Sequence, residues 1–250
     1  YHNGAVDTAA LAVFQRLLTQ LNLEPDIAVA ALDYQDADSE VYQDGGDENV
    51  VYAQQSNRGA DTALPNQALL SIDQLAEVKG VDAQVLATLR PYITAVPYYL
   101  PININTASPV LFAALVEGAS SQQMQSIIEL RAKQAFSSVD DVWQLPVLSS
   151  VKEEERKALT PLLAVDSQAF MALITASDNA TVGQARQRFA TVISSKTAAD
   201  GDAAKSSDNN GNKNSSDANN ANGNTNNADN KKPKEVRVLT QRLWAFRPIF

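Results

Sequence analysis

The sequence contains no cysteine. That removes thiol nucleophiles, thiolate zinc sites and disulfides together, and it leaves the redox compartment open, because a cysteine-free chain suits either side of a membrane. Histidine is almost as scarce. The single one, His2, lies at the extreme end, so neither a histidine-centred triad nor a multi-histidine metal site can be assembled within the chain. Positive charge is also short: the formal net charge of −9 opposes general binding to nucleic acid or anionic lipid, whose surfaces carry the same sign. No apolar run approaches the ~20 residues that span a bilayer and no signal peptide is visible, although a start at Tyr1 says little about what precedes it. What is present is 250 residues, 44% of them hydrophobic, enough for one large or two ordinary domains with a normal core.

The feature that stands out is an acidic stretch, ALDYQDADSEVYQDGGDENVVY. Seven carboxylates (Asp33, Asp36, Asp38, Glu40, Asp44, Asp47 and Glu48) fall within sixteen residues, with no Lys or Arg among them. Carboxylates ~4 Å apart repel by roughly 1 kcal/mol per pair even in water, so a folded loop of this composition needs a compensating cation or stays open. Calcium, a hard ion that takes about six to eight oxygen ligands in an irregular shell, suits such a loop. Gly45-Gly46 folds the segment back, and Val50, Val51 and Tyr52 are expected to anchor its far end. The spacing is not that of an EF-hand: counting from Asp36, the sixth position is Val41 rather than Gly and the twelfth is Asp47 rather than Glu. An irregular site for one or two ions is expected.

Around this loop the periodicity is helical. Val6 to Leu23 carries Ala9, Ala10, Val13, Phe14, Leu17, Leu18 and Leu21 on one stripe behind an Asp7 cap. Ile27 to Leu32 follows, with Asp26 as its expected cap. Ala53 to Asn66 is polar and irregular. Ser71-Ile72-Asp73-Gln74 is a capping box opening a helix to Val78, Gly80 stops it, and Asp82 caps a further helix over Ala83 to Leu89. Ser138-Val139-Asp140-Asp141 repeats that signal 67 residues later. Between the two, the alternating Ile102-Asn103-Ile104-Asn105 gives way to Ser108-Pro109, which opens a helix to Val116; another runs from Ser121 to Lys133. These short helices read as an all-α module of helical hairpins.

From Ala164 the period becomes that of strands: Ala169 to Thr175, Gln184 to Ile193 and Glu235 to Phe246, with Ser177-Asp178-Asn179 as the first turn. A three-stranded antiparallel meander is the economical arrangement, and its apolar face needs a covering helix. Residues 198–232, rich in Asn, Asp, Ser and Gly, cannot offset their ordering entropy and are expected to form a disordered hairpin loop. The expected class is therefore α+β, with a helical domain over 1–160 and an antiparallel β part over 161–250.

ALDYQDADSE, GGDENVVY, SIDQLAEVKGVDAQVLATLRPYITAVP and ININTASPVLFAAL, in this order, resemble the type II secretion system protein K family of minor pseudopilins. The resemblance implies a bacterial inner-membrane protein with a single N-terminal span and its body in the periplasm. It implies a pilin-like fold carrying an inserted α-helical domain, and a place at the pseudopilus tip beside the I- and J-type minor pseudopilins. Its membrane helix and first strand have no counterpart in this sequence, so the resemblance makes the chain a fragment beginning inside the mature protein. It also implies calcium in the helical domain. By position the family's aspartates fall on Asp33, Asp36 and Asp38 and its later acidic pair on Glu48 and Asn49, with Tyr34 standing for the usual Trp. Glu40 and Asp47 complete the candidate ligand set.

Two other classes compete with this one. ININTASPVLFAALVEGASSQQMQSIIELRAKQAFSSVDDV also resembles the helix-hairpin-helix repeat of DNA-uptake proteins, whose Gly-rich hairpin offers backbone N–H groups to phosphate. Here the hairpin is Glu117-Gly118-Ala119-Ser120, and only Arg131 and Lys133 lie near. An acid at the approach removes most of the electrostatic support. An enzyme would need carboxylates facing each other across a cleft, or a nucleophile with its base, and the sequence offers neither.

Overall fold

The structure, a computed structural model, describes residues 5–45, 47–48, 50, 66–95, 99–178, 186–198 and 234–244. The chain divides between Ser167 and Gln168 into two compact units, each described by itself.

The first unit is helical and is started locally. The Asp7 carboxylate accepts from Ala10 N–H at 3.0 Å, opening α1 (Thr8–Gln20), whose Val13, Leu17 and Leu18 are buried. α2 (Asp26–Asp33) begins differently from expectation. Pro25 already has helical φ and ψ and occupies the cap position, and Asp26 lies in the first turn with no capping bond. There its charge favours the positive end of the helix without closing it.

The Ser71–Gln74 capping box forms: Gln74 Oε1 accepts from Ser71 N–H at 3.0 Å. It opens a 3-10 helix, Ile72–Glu77, rather than an α-helix, and Val78 turns extended after its six residues. Gly80, at φ +82°, makes the turn, and Asp82 caps α3 (Ala83–Leu89) through Val85 N–H at 2.8 Å. Among the described residues the remaining α-helices are α4 (Pro109–Leu115), α5 (Gln125–Lys133), α6 (Val139–Trp143) and α7 (Glu153–Leu159), with short 3-10 helices at Pro146–Leu148 and Thr160–Leu162. α5 is shorter than its sequence pattern, because Ser120 and Gln123 cap each other and hold the preceding residues in turns.

Not every element is helical. β1 (Ile102–Asn103) pairs in parallel with β2 (Leu163–Ala164), so a two-residue ladder closes what the sequence presented as purely helical hairpins. The Ile-Asn alternation has a reason here. Ile104 is fully buried, while the Asn105 amide donates to Phe136 and Val165 carbonyls and accepts from Phe136 N–H. The described residues of the unit form two hydrophobic clusters. One holds Phe112, Met124, Ile127, Leu148 and Leu159; the other joins α2 to the first hairpin through Ile27, Tyr34, Leu75, Val78, Val81 and Leu89.

The second unit is an antiparallel meander of β3 (Ala169–Asp178), β4 (Arg186–Ala198) and β5 (Lys234–Trp244), in that spatial order. Ser177 and Asp178 belong to the first strand, paired with Gln187 and Arg186, and are not a turn. Phe170, Met171, Ile174 and Val238 are exposed. Of the Asn-rich tract only Ala198 is described, as the last residue of β4; the rest lies outside the described residues.

Ala198 pairs directly with Lys234, so the chain between them is a hairpin connection. Replacing 199–233 by Asn-Gly, which suits a two-residue hairpin turn, should therefore leave the ladder intact. Shortening by roughly four halvings lowers the closure cost by about 2 kcal/mol. The expected result is an unchanged β signal in circular dichroism and a higher denaturation midpoint.

Candidate metal centre

The end of α2 and the acidic loop form one device. Asp36 N–H bonds to Leu32 O at 3.1 Å, so the helical path continues past Asp33 and the i, i+3 spacing sets Asp33 and Asp36 on one face. The loop then returns. Glu40 and Asp47 form an antiparallel bridge, Gly45, at φ +66°, donates to Val41 O at 3.0 Å, and Glu48 N–H reaches Ser39 O at 3.2 Å. This fold-back delivers Glu48 to the two aspartates. Carboxylate oxygens of Asp33, Asp36 and Glu48 lie within 4.8 Å of one another, and the three residues are 0%, 9% and 1% exposed.

The electrostatics are adverse without a cation. Asp33 Oδ1 accepts from Tyr42 N–H at 3.2 Å. Glu48 Oε1, by contrast, is buried with no hydrogen-bond partner. Burial above all, then repulsion from Asp36, Asp33, Asp38 and Asp47, pushes the Glu48 carboxyl from 4.5 up to about 7. Buried carboxylate oxygens left unpaired are costly and call for explanation. A hard oxygen donor set around an orphaned buried oxygen fits calcium chemistry.

The other candidates are placed differently. Asp38, Glu40 and Asp47 are exposed and stand outside the three-carboxylate cluster; Asp38 Oδ1 instead accepts from Glu40 N–H at 2.9 Å. Asn49 lies outside the described residues, as do Gly46, Val51 and Tyr52. Val50 is 60% exposed and does not anchor the loop. The fold-back contacts hold the loop instead, together with Val41, which is buried in the second cluster. Of the candidates named from the sequence, Asp33, Asp36 and Glu48 form the inner group, and the sequence did not separate them from Asp38.

Of the two cations near the Glu117–Ser120 hairpin, Lys133 is exposed and Arg131 is not free for phosphate. Arg131 turns inward, donating to the carbonyls of Ile104 at 2.8 Å and Ala107 at 2.6 Å, and its guanidinium lies 5.9 Å from the Phe112 ring centroid. A separate open cavity of about 700 Å³ is lined by apolar side chains such as Phe14, Ala28 and Leu69. Asp7, the acid among its described lining residues, is already engaged as a helix cap.

A chain in the crystal structure of the GspK-GspI-GspJ complex from the enterotoxigenic Escherichia coli type 2 secretion system matches this structure with a TM-score of 0.63 at 20% identity, over 94% of this chain and 70% of that one. The fold is therefore of pseudopilin-like α+β class, a helical unit and a small antiparallel sheet. Residues 1–98 and 102–166 match the two sequence profiles of type II secretion system (T2SS), protein K. The protein of that name from Klebsiella pneumoniae is 31% identical over 169 residues, 64% of this chain and 50% of its own length. The one from Aeromonas hydrophila is 37% identical over 108 residues, 41% of this chain and 32% of its own length. This chain belongs to the type II secretion system protein K family. It spans about half the length of the curated relatives it matches.

Proposed function

We propose that this chain is the extracytoplasmic body of a minor pseudopilin, held in the inner membrane by an N-terminal helix and assembled with I- and J-type minor pseudopilins at the pseudopilus tip. The reading is supported chiefly by family membership, with the likeness in fold to a chain of a complex of three such proteins beside it. Among the described residues no helix is long and apolar enough to cross a membrane. The role is structural: a subunit that carries a bulky helical unit besides its pilin-like sheet starts the assembly or limits its growth, because such a subunit leaves little room for another above it.

In the same proposal calcium is held by Asp33, Asp36 and Glu48, the orphaned Glu48 oxygen being the observation that supports it. The ion supplies the positive charge that offsets mutual repulsion of the carboxylates, and backbone carbonyls or water complete its shell. It shapes the loop and takes no part in a reaction. The test of the assembly role is co-purification. The full-length protein should retain I- and J-type partners from detergent extracts, and deletion of the helical unit should change pseudopilus initiation or length in cells. Retention of normal pseudopili by the deletion would defeat the capping role.

A further inference from the structure

The turn that carries Asp33 and Asp36 holds a second set of contacts on its other side. Tyr34 is 2% exposed, and its hydroxyl donates to Glu77 Oε2, at the end of the first hairpin's 3-10 helix, at 2.9 Å. Gln35 is pinned by its own amide to Ala31 O at 2.8 Å and accepts from Leu69 N–H at 3.3 Å. Asn66 donates to the Asp38 carbonyl at 2.6 Å. A Cβ on Gly80 would stand 3.1 Å from Ile27 Cγ1, so the hairpin turn lies directly on α2. Tyr34 and Val41 share their hydrophobic cluster with Leu75, Val78, Val81, Leu86 and Leu89, whereas Phe112, Ile127 and Leu148 belong to the other cluster.

One helical turn thus presents candidate ligands at positions 33 and 36 and contacts to the hairpin at 34 and 35. Fixing the first pair fixes the backbone angles that aim the second. We propose that Tyr34 and Gln35 are positioning residues that couple ion occupancy at Asp33, Asp36 and Glu48 to the ordering of the first hairpin, residues 66–90, and not to that of the later hairpins. This rests on the calcium reading above. By reciprocity, a hairpin that is better ordered when the ion is bound must in turn tighten the ion, and couplings of this kind run from about fivefold upward. The device makes one face of the helical unit calcium-dependent while leaving the rest of the unit indifferent to the ion.

The test uses hydrogen exchange read by mass spectrometry, in millimolar calcium and in chelator, with calorimetric titration of calcium alongside. In the parent chain calcium should slow exchange across 72–89 by about tenfold and leave 109–131 nearly unchanged. Tyr34→Phe, and Glu77→Ala at an exposed position that folding tolerates, should weaken calcium binding by about fivefold and remove most of the calcium-induced slowing at 72–89. Glu77→Gln, which keeps an acceptor oxygen, should restore both. If Tyr34→Phe and Glu77→Ala speed exchange equally with and without calcium, or bind calcium as the parent does, the coupling is refuted. An Asp36→Asn control that abolishes binding in that case leaves the ion reading standing; a parent chain that shows no saturable calcium binding overturns both.

Discussion

Glu48→Gln should stabilise the calcium-free protein at pH 8 and destabilise the calcium-loaded one. In the folded, ion-free state the Glu48 carboxyl titrates at about 7, against 4.5 without its surroundings. The folded state therefore binds this proton more tightly than the unfolded state does. Stability is retained below pH 4.5, falls as pH rises from 4.5 toward 7, and stays reduced above that, by about 3 kcal/mol in all. Glutamine carries no charge at any pH and escapes this loss. In chelator at pH 8 the variant should exceed the parent by about that amount, and at pH 4.5 the difference should nearly vanish. Millimolar calcium reverses the order, because an ion that binds only the folded state raises its stability by mass action and the variant has lost a charged ligand. Urea denaturation at the two pH values, with and without calcium, reads all four cases. A variant less stable than the parent in chelator at pH 8 would mean that something other than an ion compensates the Glu48 charge.

How far the sequence foretold this depends on the range over which each feature is encoded. The Asp7, Asp82 and Ser108 caps and the two capping boxes were legible because each is a bond across three residues, written in those residues alone. The order of β3, β4 and β5 was legible for a similar reason, since successive strands at short separation form hairpins unless something intervenes. The β1–β2 pair was not: two residues at 102–103 meet 163–164 across four intervening α-helices and two 3-10 helices, and no local pattern names the partner. The acidic stretch announced a cation but not its ligands. Seven acids look equivalent in sequence, and only the fold-back through the Glu40–Asp47 bridge turns Glu48 inward and leaves Asp38 exposed. Arg131 is a similar case: the sequence shows a cation near a glycine hairpin too poor in positive charge for phosphate, and only the fold shows its guanidinium facing carbonyls.

Arg131→Ala should lower the stability of the helical unit by about 3 kcal/mol, a fall in melting temperature of roughly 10 °C. The guanidinium satisfies two carbonyls, those of Ile104, which is 0% exposed, and Ala107, which is 7% exposed. Removing it strands both acceptors away from water, and each costs about 1–3 kcal/mol. The side chain also lies over the Phe112 ring, a member of the larger cluster, so packing is lost together with the bonds. Arg131→Met separates the two effects: it keeps most of the aliphatic cover and loses only the donors, and should recover less than half of the loss. Lys133→Ala, at an exposed position in the last turn of α5, should change stability by no more than about 0.5 kcal/mol. A nucleic-acid hairpin predicts a different pattern. There Arg131 and Lys133 would act alike on phosphate, and each substitution would weaken duplex binding and reduce its salt dependence while leaving the melting temperature alone. Thermal unfolding of the three variants beside a low-salt gel shift decides between the two: parent-like stabilities with duplex affinities lowered alike would return the hairpin to nucleic acid, and a stability loss confined to the Arg131 variants with duplex affinity unchanged assigns Arg131 to the architecture of the turn.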